Sequence, residues 1–136
     1  MTPGVTYDTG MLIALERRKQ RALQVHERLR ELSVRITVPL AVVGEWWRGR
    51  SDDREDILRS VNVEVGETAR VVAILAGEAL GSLRGKRPRD ACPSRYMVDA
   101  MVMASAALRG DVVYTSDFDD LSRFGRRFPG VRLLGT

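Results

Sequence analysis

The chain has 136 residues, 44% of them apolar and 29% charged, which is enough to bury one core and excludes both a disordered chain and a second domain of normal size. Its single cysteine, Cys92, excludes an internal disulfide, and the first residues carry neither a basic leader nor an apolar run long enough for a membrane span, so a soluble cytoplasmic protein with no membrane role is expected. The formal charge of +4 is unevenly placed: residues 1–68 carry 11 basic and 11 acidic side chains, and residues 69–136 carry 11 and 7. Such a surface suits a polyanion such as RNA, DNA or an acidic protein segment, although mild basicity alone is common.

Val5-Thr6-Tyr7 favours an extended conformation, and Asp8-Thr9 can cap a helix beginning with Met11, Leu12, Ile13 and Leu15. Ala22, Val25, Leu29 and Leu32 then recur at helical spacing. Val34 to Val38 has strand propensity, and Pro39 suits the first position of a helix bearing Leu40, Val43, Trp46 and Trp47 and ending near Gly49. Asp52 to Asp56 resembles an acidic first helical turn. Val61, Val63 and Val65 alternate like a strand, and Glu67 to Leu83 returns to helical periodicity.

The stretch 81–94, with two prolines, two glycines and four basic residues, is the clearest loop. From Arg95 to Leu108 the helix is apolar around nearly its whole circumference and should be buried on several sides. Val112 to Thr115 reads as a strand, Phe118 to Phe124 as a short helix, and Val131 to Leu134 as a last strand. Strands alternating with helices predict a mostly parallel sheet covered on both faces.

Four carboxylates stand out. Asp99 interrupts the most apolar helix, where an isolated ionised carboxylate would be costly to bury unless a metal ion, an arginine or a local cap accompanies it. Asp8 and Asp117 each follow a predicted strand, and ligands gather at the carboxyl ends of strands in open parallel sheets. Taken singly, each also reads as a helix cap or turn residue. Glu45 lies between apolar residues of its helix, either at a rim or beside a partner. Together the four suit a hard divalent cation with oxygen ligands, Mg²⁺ or Mn²⁺, because clustered carboxylates repel one another until a cation restores balance.

Nothing else competes as chemistry. His26, the sole histidine, reads as solvent-facing or locally bonded, and Cys92 as structural or incidental. There is no glycine-rich phosphate loop and no set of sulfur and nitrogen ligands for zinc.

The segments TYDTGMLIALE, ITVPLAVVGEWWRG, YMVDAMVMASA and VVYTSDFDDLSRF, in that order and across nearly the whole chain, resemble the PIN-domain family, and within it the VapC-type toxins of bacterial toxin–antitoxin pairs. The resemblance implies one PIN-like ribonuclease domain over residues 1–136, a three-layer α/β/α sandwich around a mostly parallel sheet of four to five strands. It implies a Mg²⁺-dependent endoribonuclease with Asp8, Glu45, Asp99 and Asp117 as metal ligands. Thr115 matches the family's hydroxyl residue before the fourth acid, and Asp119 and Asp120 compete for a further acid, with Asp120 preferred.

The implied reaction is in-line attack of water on an RNA phosphodiester, leaving a 5′-phosphate and a 3′-hydroxyl. Arg84, Lys86, Arg87, Arg89, Arg95, Arg123, Arg126 and Arg127 suit either phosphate contacts or a solvated face. The implied partners are RNA, a small cognate antitoxin whose tail occupies the groove, and a second copy in a homodimer. Trp46 and Trp47 fit an interface or the core equally well. Three alternatives are a metal-dependent nuclease for another nucleic acid, a non-catalytic RNA-binding or regulatory module that kept the fold, and a purely structural partner protein.

Overall fold

Residues 3–83, 96–116 and 118–135 are described in a computed structural model of the chain. The first strand, β1 (Val5–Tyr7), is buried throughout and runs into helix α1 (Thr9–Glu16), with Asp8 as its N-cap. Helix α2 (Gln20–Glu31) and strand β2 (Ile36–Pro39) follow. Pro39 closes the strand and caps α3 (Leu40–Trp46), instead of starting the helix itself, and α3 stops three residues short of Gly49.

Ser51 caps α4 (Asp52–Arg59) by accepting a hydrogen bond from the Arg54 N–H, and the first turn carries Asp52, Asp53 and Glu55 as expected. Strand β3 (Asn62–Glu64) and helix α5 (Gly66–Leu83) come next. Residues 84–95, which hold most of the expected loop with Arg84, Lys86, Arg87, Arg89 and Cys92, and Arg95 of the expected next helix, lie outside the described residues, whereas residues 81–83, expected in that loop, end α5. Helix α6 (Met97–Arg109), strand β4 (Val112–Thr115), helix α7 (Phe118–Ser122) and strand β5 (Arg132–Gly135) complete the chain.

The five strands form one sheet in the order β3-β2-β1-β4-β5, and every pairing is parallel. The chain therefore steps outward from β1 to β3, crosses back through α5 and α6, and resumes at β4 on the other side of β1. Strand order reverses between β1 and β4, where a crevice opens at the carboxyl ends of the strands. Tyr7 pairs with Tyr114, so the next residues, Asp8 and Thr115, stand side by side at that point.

Alternation along β1 sends successive side chains to opposite layers. The Thr6 hydroxyl meets Asp111 and Arg109 at the foot of α6, whereas the Tyr7 hydroxyl meets His26 on α2. Helix α6 contacts β1, β2 and β4, with α5 packed on it; α1 contacts β1 and β4, with α2 and α4 beside it. The core runs through both layers, from Met11, Leu12 and Leu15 of α1 to Val102, Met103 and Ala106 of α6. Among the described residues no helix is long and apolar enough to cross a membrane.

Two apolar expectations are corrected. Leu32 lies beyond the end of α2 and is 56% exposed, and Val65 lies beyond β3 and is 62% exposed. Helix α6 is buried on several sides as expected, against α3, α5, α7 and the sheet, and exposes Met97, Ala107 and Leu108 near its ends. Gly110 ends α6 in the left-handed region (φ 74°), as a helix-terminating glycine should, and the turn lets Asp111 N–H reach the Ala106 carbonyl at 2.9 Å.

Candidate metal centre at the carboxyl edge of the sheet

Asp8 is both a helix cap and a member of the crevice. Its Oδ1 accepts a 2.8 Å hydrogen bond from the Met11 N–H, which satisfies one of the donors that begin α1, and its Oδ2 accepts the Thr115 hydroxyl at 2.5 Å. The residue is 4% exposed. Two donors from different elements thus fix both carboxylate oxygens.

Gly10 supports this arrangement by what it lacks. A Cβ at that position would stand 2.2 Å from the Ser116 Oγ and 3.4 Å from the Asp8 Oδ1, so the missing side chain lets the end of β4 close against the start of α1. Reading the sequence missed this pair; a glycine in the first turn of a helix, where it lowers helix stability, is the signal that points to it.

Asp99 sits half-buried in the first turn of α6, and Glu45 is exposed on α3. Helix α3 contacts α6 and α1, and α6 contacts β1, so the elements bearing Asp8, Glu45 and Asp99 adjoin one another. Asp117 and the side chain of Asp120 lie outside the described residues, and Asp119 is exposed on α7. Among the described residues no three acidic, histidine or cysteine side chains gather closely enough to hold a metal ion. The donors of the candidate centre are all carboxylate or hydroxyl oxygens, which fits Mg²⁺ or Mn²⁺ and disfavours zinc.

Two polar networks lie outside that centre. In the first, the Arg109 guanidinium binds Glu64 and Asp111 and donates to Thr6 Oγ1 at 2.9 Å and Ser105 Oγ at 2.7 Å. Asp111 also accepts from Gly4 N–H and Thr6 Oγ1, each at 2.9 Å. The side chains of Glu64 and Asp111 are 3% and 0% exposed, so the valine alternation of β3 hides a charge buried against a helix 45 residues away.

In the second, the Tyr7 hydroxyl meets His26 Nδ1 at 2.9 Å and His26 Nε2 meets Ser60 Oγ at 3.0 Å. Ser60 Oγ donates to the Ile57 carbonyl at 2.6 Å. It therefore accepts from Nε2–H, leaving Nδ1 to accept the tyrosine proton. His26 is consequently neither solvent-facing nor locally bonded: it is half-buried and ties β1 to the end of α4. Burial, and then the charge of Arg30, lower the His26 pKa from its ordinary 6.5, while burial, and then Tyr114, push the Tyr7 hydroxyl above its ordinary 10.0.

The aromatic pair at the end of α3 divides its roles. Trp46 is buried in the core and Trp47 is half-buried against it, edge to face with centroids 5.8 Å apart.

A doubly wound parallel sheet with a buried acid at its switch point defines an open α/β protein, and folds of this kind bind ligands where the strand order reverses, here between the first and fourth strands. Two solved structures share this fold over nearly their whole length. The crystal structure of DNA-bound VapBC from Salmonella typhimurium matches with a TM-score of 0.64 and 22% identity, covering 98% of this chain and 98% of that one. The crystal structure of VapBC2 from Rickettsia felis, bound to a DNA fragment from their promoter, matches with a TM-score of 0.62 and 15% identity over 96% and 97%. No family model matches the chain, and no curated protein matches it. The PIN-like three-layer sandwich expected from the sequence is the fold observed.

Proposed function

We propose that the protein is a Mg²⁺-dependent endoribonuclease, the VapC-type toxin of a toxin–antitoxin pair, working in the cytoplasm as a homodimer that a small antitoxin restrains. The observation that carries this reading is the buried Asp8 carboxylate, held at the switch point by Thr115 and the start of α1. The likeness to chains of two VapBC complexes supports it, as do the four motif segments.

Asp8, Asp99, Glu45 and Asp117 would hold the cation, with Mn²⁺ able to replace Mg²⁺. When bound there, the ion would activate water and offset the charge that grows on the phosphodiester. The chain's own contribution is orientation. Thr115 and the Met11 N–H restrict the Asp8 carboxylate to one setting, so no reorganisation is needed when substrate arrives. Asp99 projects from a helix anchored by its buried apolar neighbours, and Asp120 would support the centre from α7.

A binding-only surface gains nothing from a buried acid where a phosphate must approach, which favours catalysis over the non-catalytic module. The test is incubation of purified total RNA with the partner-free protein, with Mg²⁺ and with EDTA. Discrete fragments bearing 5′-phosphates in Mg²⁺ alone are expected. RNA left intact by a folded protein in both Mg²⁺ and Mn²⁺ would instead favour the binding module.

A further inference from the structure

Helix α2 opens with charge that its own stability does not explain. Arg17, Arg18, Lys19 and Arg21 surround its first turn, no acid stands between Arg17 and His26, and the N-cap residue, Lys19, makes no side-chain cap. Positive charge at a helix N-terminus opposes the helix dipole, so these residues cost the helix rather than serve it. Arg18 pairs with Asp53 at 3.1 Å. The side chains of Arg17, Lys19 and Arg21 are exposed and enter no hydrogen bond or ion pair among the described residues.

Arg21 leads into a cleft of about 200 Å³ between α2 and β4, lined by Arg21, Gln24, Val25, Arg28, Leu29 and Tyr114. Val25, Leu29 and the half-buried Tyr114 ring are its apolar part. Arg28 is already paired with Glu31 at 3.3 Å, which leaves Arg21 as the unpaired cation and the Gln24 amide as donor and acceptor. Two other clefts, one lined by Leu23, His26 and Glu27 and one by Trp47, Leu58 and Glu55, each include a carboxylate, whereas the Tyr114 cleft has none in its lining. Pockets that enclose a whole small-molecule ligand run to about 300–1,000 Å³, so this one takes part of a larger molecule. Tyr114 directly precedes Thr115, the residue bonded to Asp8, and this sets the cleft beside the carboxylate centre.

We propose that this cleft holds one unpaired base of the RNA cut at the carboxylate centre, packed on Tyr114 with its edge against Gln24, while Arg21, Lys19 and Arg17 meet the adjoining backbone phosphates. The proposal rests on the ribonuclease reading and adds a specificity site to it. Only a base released from a duplex can enter such a cleft, and its exposed edge is then open to an amide. Packing on an aromatic ring accepts any base, and the unpaired cations at the start of α2 complement the strand on either side of it. An acidic protein segment would match the charge, but a carboxylate side chain gains nothing from the apolar wall of Val25, Leu29 and Tyr114. Selection for single-stranded segments therefore comes from a face of α2 separate from the acids that cut.

The experiment measures fluorescence anisotropy of a labelled 12-nucleotide single-stranded RNA, and of the same strand in a duplex, with the partner-free chain in EDTA and again in Ca²⁺. Tyr114→Leu is expected to weaken single-strand binding by about 5- to 150-fold and to leave duplex binding unchanged, while Tyr114→Phe keeps the unaltered affinity. Arg21 is exposed, so Arg21→Gln probes the cleft without touching the core and decides the matter where Tyr114→Leu does not fold. It is expected to lower the slope of log affinity against log salt by about 0.7. Arg70→Gln, on α5 in the opposite layer, should change neither quantity. Single-strand affinity unchanged in Tyr114→Leu, or a salt slope unchanged in Arg21→Gln, overturns the cleft and leaves the ribonuclease reading standing on total-RNA cleavage. Equal losses for single strand and duplex, or an equal effect of Arg70→Gln, reduce the binding to general charge attraction and also overturn it. An altered sedimentation coefficient for Arg21→Gln assigns the face to contact between copies, and a glutamate dodecamer that competes as well as RNA assigns it to an acidic protein segment; either overturns the proposal. No binding of RNA by the unaltered chain overturns the cleft, and the ribonuclease reading is then judged by total-RNA cleavage alone.

Discussion

The Thr115 hydroxyl, at the end of β4, donates to the carboxylate of Asp8, at the end of β1, and so closes the switch point of the sheet across 107 residues of chain. Thr115→Val keeps the shape and removes the donor. A buried acceptor deprived of its partner costs about 1–3 kcal/mol, so urea denaturation should show a loss of that size and RNA cleavage should fall. Thr115→Ser, which keeps the hydroxyl, should stay close to the unaltered chain in both measurements.

Gly10→Ala separates stability from activity. The new methyl would meet the Ser116 hydroxyl at 2.2 Å, and that exposed side chain can rotate away. Thermal unfolding should therefore shift little, partly because alanine favours the helix by about 0.5–1 kcal/mol. Cleavage should fall by up to about 100-fold, as expected when atoms beside reacting groups move by an ångström. Adding Ser116→Gly should restore it.

Arg109 neutralises two buried acids at once. Arg109→Met leaves Glu64 and Asp111 without their common cation, and breaking a buried pair from one side costs about 3–5 kcal/mol. Chemical denaturation should register that loss. The combination of Arg109→Met with Glu64→Gln should be more stable than Arg109→Met alone, since one stranded charge is gone.

The Tyr7–His26–Ser60 chain sets a pH dependence. His26 titrates below its ordinary 6.5 in the fold because burial and Arg30 disfavour the imidazolium. Between the folded and unfolded values the unfolded chain binds more protons, so stability rises with pH there. The contribution is complete above about pH 6.5 and is lost as pH falls through the lowered folded value. Tyr7 acts in the opposite direction: its raised value keeps the hydroxyl protonated, and that stability is lost as pH rises above 10.0. Denaturation midpoints followed across pH should show the acid limb weaken in His26→Gln and the alkaline limb weaken in Tyr7→Phe.

The sheet and its helices were legible because their signals are local. Val5 to Tyr7 needed only strand propensity, and the acidic run from Asp52 to Asp56 marked the start of α4. What escaped depends on contacts distant in sequence. Glu64 reads as an outward residue of a valine-patterned strand until Arg109 arrives from the far end of α6. His26 reads as a surface histidine until Tyr7 and Ser60 are brought to its two nitrogens. At the candidate centre, Asp8 was legible from its place behind a strand, and Asp99 from its cost in an apolar helix. The Thr115 bond and the Gly10–Ser116 contact were not, since both need the register of β1 against β4.

Whether the carboxylate centre cuts RNA is decided by comparing cleavage by the unaltered chain and by Asp99→Asn, each in Mg²⁺ and in EDTA, with circular dichroism showing both proteins folded. Discrete fragments are expected from the unaltered chain in Mg²⁺ and none from the other three reactions. Equal cleavage by Asp99→Asn, or cleavage that persists in EDTA, would rule out a metal-dependent centre built on these acids.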